Sequence, residues 1–451
     1  LHRRRHSFPT RRSSDLISYS LFAQEKTNSF VFSLKEAIEY AQKNNYSVVN
    51  ASKDLEIAKK KKWETTTMGL PQISGSVSYL KTFEFQKQGV AANTFNPAAP
   101  ADEIIGIAFG TKHNAITSVS LNQLIFDGSY LVGLQSAKTY LKISENAIVK
   151  TNQEIKEIVI NTYGNVLFAD ENIAVLNKNK TIVEKILSDT KQIYKNGLIE
   201  EESVEQLQIT LNSLQSALDN VTKQKQIALN MLKLIVGIDL ESDLKLTDKL
   251  DVLTQQNIDL NLLSETFEVE KNIDFQIGKN IEQSKMLLVK LEKSKALPSL
   301  GAQINFGYNT FSNQFNIMNS SQKWYNFSNV GLGLNVPIFS SFGRTARTQQ
   351  AQIELEKAKV QLTETTQKLK LQFQQAKSEY EYCIQKYSIA QANLKLAERI
   401  ENKQEIKFKE GLSTSFDFAD AQKQLYTAQQ ESLQAMLDVI NKRAALEKLI
   451  N

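Results

Sequence analysis

RTARTQQAQIELEKAKVQLTETTQKLKLQFQQAKSEYEYCIQKYSIAQANLKLAERIENKQEIKFKE, residues Arg344 to Glu410, is the stretch that decides the fold. It holds no proline, and the next glycine is Gly411, just past its end. Leu369, Ala376, Cys383, Ala390 and Ala397 recur every seventh residue, and Phe373, Tyr380, Tyr387 and Leu394 form a second, interleaved row. Two such rows are the a and d positions of a coiled coil. At a rise of 1.5 Å per residue the helix is roughly 100 Å long, far beyond an ordinary globular helix. Just upstream, Val330, Leu332, Leu334, Val336 and Ile338 alternate with Asn329, Gly331, Gly333, Asn335 and Pro337. That pattern predicts a strand over about 328–339 with one apolar and one uncharged polar face. The expected architecture is a lipid-facing strand feeding a very long soluble helix.

Working outward, the same plan occurs twice. A capping-box pattern at Ser33 and Glu36 opens a helix to Thr67 with a break near Asn44 and Asn45, ending at Leu70-Pro71. Strands follow at about 72–85 and 114–125, separated by a polar, irregular loop with an NPAAP run from Asn96 to Pro100. A long helix over about 128–196 carries the rows Ile155, Thr162, Ala169, Leu176, Val183 and Val159, Val166, Ile173, Leu187, Tyr194, with Lys180 interrupting. A helix over about 200–236 completes this first repeat, assigned to 25–236. Residues 237–259 read as a linker or equatorial segment. The second repeat, 260–451, has a helix from Asn272 to Lys295, strands at about 299–311 and 328–339, the long helix at about 344–410, and a final helix at about 416–449. Leu70-Pro71 corresponds to Leu297-Pro298 at an offset of 227, and Gly197-Leu198 to Gly411-Leu412 at 214. The difference falls mostly in the hairpins, where loops tolerate length change.

Composition excludes several classes. The chain has 451 residues, formal charge +5 and no 18-residue apolar run, which argues against a transmembrane helix. A transmembrane barrel has a much weaker signal per strand and stays open. Five of the nine arginines lie within residues 1–12, so the basic balance is local and does not argue for nucleic-acid binding. Residues 1–24 read as a non-native leader followed by the remnant of a signal peptide, ISYSLFAQ, with a small-residue cleavage site near Ala23. Cys383 is the only cysteine and occupies a heptad core position, so packing, not chemistry, accounts for it. His113 is the only histidine outside the leader. No zinc cluster, catalytic triad, P-loop or dinucleotide fingerprint can be assembled, so no enzyme activity, cofactor or metal is expected.

Four amphipathic strands of bilayer-crossing length, with aromatics such as Phe83, Phe126, Phe311, Trp324 and Phe339 near their ends, fit a membrane barrel. Four strands cannot close one, and an open edge in lipid leaves backbone groups unpaired at several kcal/mol each. The chain must therefore oligomerise; three copies supply twelve strands, although two or four copies are not excluded by the pattern. The long helices carry charged outward positions such as Lys156, Glu157, Lys368 and Glu379 and must lie in water.

With its duplicated order of helix, hairpin, long helix, glycine tip and helix, the chain resembles the TolC-like outer membrane efflux protein family. The carriers are SLKEAIEYAQKNN (Ser33 to Asn45), YKNGL (Tyr194 to Leu198) and FKEGLSTSFDFADAQ (Phe408 to Gln422). The resemblance implies a mainly α fold with a β portion: a homotrimer in the bacterial outer membrane, with a twelve-stranded barrel continued by a long periplasmic α-helical barrel. It implies a passive channel of a tripartite efflux or type I secretion system. The implied partners are a periplasmic adaptor, an inner membrane pump of the RND, ABC or MFS class, and outer membrane lipid. It also implies a girdle from about Gly237 to Asp259 plus the C-terminal region, whose share is reduced by the stop at Asn451. In the family's best-known member two aspartates after the second glycine turn line the periplasmic constriction, and Asp417 and Asp420 fall at the matching positions. Spaced i, i+3, they share a helix face, and symmetry would make each a ring that attracts cations. The competing reading of Asp417 is a first-turn residue favoured by the helix dipole. Asn196, Gly197, Leu198, Glu410, Gly411 and Leu412 are the expected adaptor-docking tips. Where that member has a charged pair across its tips, this chain has Ser203 and Ser413, so that lock is expected to be absent, with closure resting on other contacts or being looser. The alternative from a different class is a non-conducting, periplasm-spanning coiled-coil scaffold.

Overall fold

The computed structural model describes residues 29–450; the leader reading for residues 1–24 lies outside them. In chain order the elements are β1 (Ser29–Phe32), α1 (Leu34–Asn44), α2 (Tyr46–Thr67), β2 (Gln72–Lys81), β3 (Lys87–Ala91), β4 (Ile104–Ala108), β5 (His113–Asp127), α3 (Gly128–Lys195) and α4 (Glu201–Val236). Then come β6 (Asp243–Leu246), α5 (Leu250–Gln256), α6 (Ile273–Ser294), β7 (Ser299–Ser312), β8 (Tyr325–Asn335), α7 (Gly343–Lys409) and α8 (Ser415–Ile450). Helices α3 and α7, of 68 and 67 residues, are the frame of the molecule. No helix among the described residues is long and apolar enough to cross a membrane.

The opening helix is specified locally. Ser33 Oγ accepts from the Glu36 N–H, and the Glu36 carboxylate accepts from the Ser33 N–H at 2.8 Å, a complete capping box. The predicted break is real: Asn45 accepts from the N–H groups of Ser47 and Val48 and donates to the Ile235 carbonyl at 2.6 Å, so α1 and α2 are separate helices. Gly237 sits against this joint at φ +87°, where a Cβ would lie 2.4 Å from the Asn44 carbonyl oxygen.

The four main strands form one antiparallel sheet in the order β2-β5-β7-β8. The two repeats meet where β5 pairs with β7, with an irregularity between Leu124 and Phe126. Strands β2 and β8 are its two edges. Its faces separate by chemistry. Ile73, Val77, Val330, Leu332 and Leu334 are 65–82% exposed. The polar positions bond to one another: Ser76 Oγ to Ser118 Oγ at 2.9 Å, and Asn305 Nδ2 to Asn329 Oδ1 at 2.9 Å.

Several boundaries differ from the sequence reading. Strand β2 stops at Lys81, short of Phe85, and β8 covers 325–335, not 328–339. Val336 and Ile338 continue the apolar alternation but lie in an irregular link, because Pro337 cannot donate to a ladder. The segment expected to be an irregular loop holds a second hairpin, β3 with β4, pairing Lys87 through Ala91 with Ala108 through Ile104. Strand β1 was not foreseen. It pairs in parallel with β6, drawing the 237–259 segment against α1 and α3. Tyr194 is exposed, although it sits in a heptad row, because α3 is fraying into its terminal turn.

Two fully buried tyrosines fasten the 237–259 segment to the long helices. Tyr163 on α3 donates to Asp248 Oδ2 at 2.9 Å and lies 3.0 Å from the Phe32 carbonyl oxygen. Burial, with Asp248 beside it, pushes its phenol well above the usual range. Tyr380 on α7 donates to the Asn257 carbonyl at 2.6 Å and accepts from the Asp259 N–H at 2.9 Å.

Candidate functional site

The tips are built from glycine. After α3 and after α7 the chain turns through Gly197 and Gly411 at φ +72° and +71°. In both, the next leucine N–H returns to a carbonyl five residues back: Leu198 to Ile193 at 3.3 Å, and Leu412 to Lys407 at 2.8 Å. The glycine N–H returns three back, Gly197 to Tyr194 and Gly411 to Phe408. These are paired Schellman turns, which need a left-handed residue and leave space around it. Asn196 and Glu410 are the respective C-caps. Leu198 and Leu412 are 74% and 78% exposed, so each tip presents a bare leucine.

Helix α8 begins beyond the second tip. The Asp417 N–H donates to Thr414 Oγ1 at 3.1 Å, while Asp417 Oδ2 accepts from the Thr414 N–H at 3.1 Å and Oγ1 at 2.7 Å. Ser413 Oγ adds a contact at 3.3 Å. Asp417 is therefore a capping residue, and the Thr414 hydrogen bonds hold its carboxyl below the usual carboxylate range. It remains exposed, as does Asp420, whose carboxylate accepts from Gln424 Nε2 at 2.7 Å. Between them Phe418 is fully buried, packed among Ile186, Leu187 and Leu207 and stacked on Phe408 at 5.8 Å. Phe418 thus clamps the two helical hairpins together and fixes 417 and 420 on the opposite, solvent-facing side. Ser413 Oγ also lies 3.1 Å from Gln404 Oε1, a contact within its own hairpin.

Sequence reasoning missed a third acidic residue here. Glu401 is only 7% exposed and accepts from Gln422 Nε2, which is itself buried. Burial, then the nearby Glu405, raises its carboxyl above the ordinary range. The signal was available, since Glu401 is the next member of the row Phe373, Tyr380, Tyr387, Leu394. Farther up, Asn179 donates to Gln429 at 2.8 Å and Asn172 to Gln430 at 3.1 Å, so amides line the seam between α3 and α8.

Comparison with known proteins places this architecture. A family model described as outer membrane efflux protein matches residues 37–238 and 286–451. The outer membrane protein TolC of Vibrio cholerae is 24% identical over 240 residues, which is 52% of this chain and 53% of that protein. The chain thus matches about half the length of this curated relative. Among solved structures, the CmeC outer membrane channel of Campylobacter jejuni superposes with a TM-score of 0.70 at 18% identity, covering 99% of this chain and 93% of that one. The outer membrane protein VceC of Vibrio cholerae gives 0.69 at 16% identity, covering 92% and 95%.

Proposed function

Because the chain belongs to the outer membrane efflux protein family, we propose that it is the passive exit duct of a tripartite efflux or type I secretion system. The protein resides in the outer membrane, with its long helices in the periplasm. In the proposed assembly three copies pool their sheets into a twelve-stranded barrel. The observation that carries the reading is the pair of free edges, β2 and β8, on a sheet with an apolar outer row. Four antiparallel strands leave β2 and β8 running in opposite directions. A neighbour's β2 laid against β8 therefore continues the alternation and seals both edges, as lipid demands. The helices then enclose a water-filled tunnel.

Asp417 and Asp420 are assigned to the periplasmic constriction, and the two bare-leucine turns to docking of a periplasmic adaptor that links the duct to an inner membrane RND, ABC or MFS pump. Transport is driven by those partners, and no catalytic step is assigned to this chain. A carboxylate that keeps its charge because Thr414 bonds it suits a cation-attracting ring. Single-channel recording in planar bilayers tests the assignment. The expected result is cation preference that falls several-fold in Asp417→Ala/Asp420→Ala. An unchanged cation preference in that double variant would remove both residues from the pore. A purified protein that never conducts would favour the scaffold reading.

A further inference from the structure

The two ends of the sheet differ in charge. At the helical end, residues 59–71, 127–137, 290–298 and 336–347 hold nine lysines and arginines against three carboxylates, a net +6. At the other end, residues 81–112 and 313–324 hold four lysines against three carboxylates, a net +1. Two of those four, Lys81 and Lys323, lie over the rings of Phe83 and Tyr325.

At the helical end the three carboxylates are already engaged. Glu64 pairs with Lys61 at 2.9 Å, Glu292 pairs with Lys295 at 2.6 Å and lies 3.7 Å from Arg347, and Asp127 caps α3 by accepting from the Tyr130 N–H. Among the described residues, Lys59, Lys60, Lys62, Lys290 and Lys293 have no carboxylate within 4 Å. All but Lys62 are exposed.

Beside these cations the chain displays large apolar side chains. Trp63 is 61% exposed, and Ile338, Phe339 and Phe342 are 89%, 75% and 75% exposed. Phe342 holds its place at φ +61°, a left-handed conformation rare for a bulky residue, with its ring edge-on to Phe339 at 6.1 Å. The order along the chain axis is apolar strand face, aromatic rim, then free ammonium groups. That is the order of acyl chain, interface and headgroup in a lipid leaflet.

We propose that this collar binds anionic phospholipid headgroups of the leaflet facing the helices. The proposal rests on the barrel reading above. It goes beyond it in assigning Lys59, Lys60, Lys62, Lys290 and Lys293 to headgroups, with Trp63 and the 338–342 link at the interface. The collar fixes the depth of the barrel in the membrane, and each cation near an anionic surface is worth about a fivefold change in partition.

The test uses the full chain reconstituted in vesicles of phosphatidylcholine containing spin-labelled phosphatidylglycerol or spin-labelled phosphatidylcholine. The wild type is expected to hold the anionic label about threefold or more over the neutral one at low salt, with the preference shrinking as salt screens it. Lys59→Gln/Lys60→Gln/Lys62→Gln, which leaves Lys290 and Lys293 in place, lowers the ratio toward parity while keeping wild-type unit conductance. Lys87→Gln/Lys112→Gln at the other end leaves the ratio unchanged. Equal retention of both labels by a conducting wild type overturns the proposal, as does an unchanged ratio in the conducting triple variant. A wild type that neither inserts nor conducts overturns the barrel reading and takes the collar with it.

Discussion

At the scale of single residues, the tip is a balance between one carboxylate that is exposed and satisfied and one that is buried. Glu401 has its folded-state pKa raised above the ordinary 4.5. The folded chain therefore holds that proton more tightly than the unfolded one, and stability falls as pH rises from 4.5 through the raised value. Glu401→Gln is expected to keep the bond to Gln422, to raise the unfolding midpoint near neutral pH, and to flatten this part of the pH profile; circular dichroism melts between pH 4.5 and 8 check it. The left-handed turns give a second prediction. Nothing lies within 4 Å of the position a Cβ would take at Gly411, so Gly411→Ala meets no clash, only backbone strain of about 1 kcal/mol. Gly411→Asn is expected to cost less, since asparagine tolerates that conformation, and hydrogen exchange of the Leu412 amide reports both.

At the scale of elements, packing partners decide what the periodicity could show. The rows in α7 were legible because one side of that helix faces α8 and the adjoining layer, so two rows suffice: Leu369, Tyr380, Cys383 and Ala390 are all buried. Helix α3 packs against both α4 and α8 and buries a third row, Asn172, Asn179 and Ile186. Two of those are amides, which a search for apolar repeats passes over. Strand β1 and the Tyr163 and Tyr380 fasteners were equally hidden, because their partners are 85 to 214 residues away and carry no local pattern. Asp417 and Asp420 were singled out only by resemblance; the capping geometry of Asp417 with Thr414 was foreseeable from the spacing. Asn179→Leu strands the Gln429 amide in the seam and is expected to cost about 1–3 kcal/mol, whereas Asn179→Leu/Gln429→Leu recovers much of that. Denaturant midpoints of the two single variants and the double variant measure the coupling. Tyr163→Phe is expected to loosen the β1–β6 layer, read as faster exchange at Leu244 and Leu246 with little change at the tips.

At the scale of the whole molecule, the free edges and the duplicated plan belong together. Single cysteines placed on β2 at Ser76 and on β8 at Asn329, in a Cys383→Ala background, are expected to crosslink only between chains, giving a ladder that ends at three. Cys383 is buried and lone, so its removal costs a methyl-sized packing defect and no bond. A ladder continuing past three, or none at all, would change the count of copies. The tandem arrangement also bears on assembly. One half holds two strands of the main sheet and one glycine-turned helical pair, so the proposed twelve-stranded ring built from separate halves would need six chains. Carrying both halves on one chain halves the number of chains to be gathered and lets the halves differ. The halves do differ: three glutamates from 200 to 202 open α4, while Thr414 and Asp417 open α8.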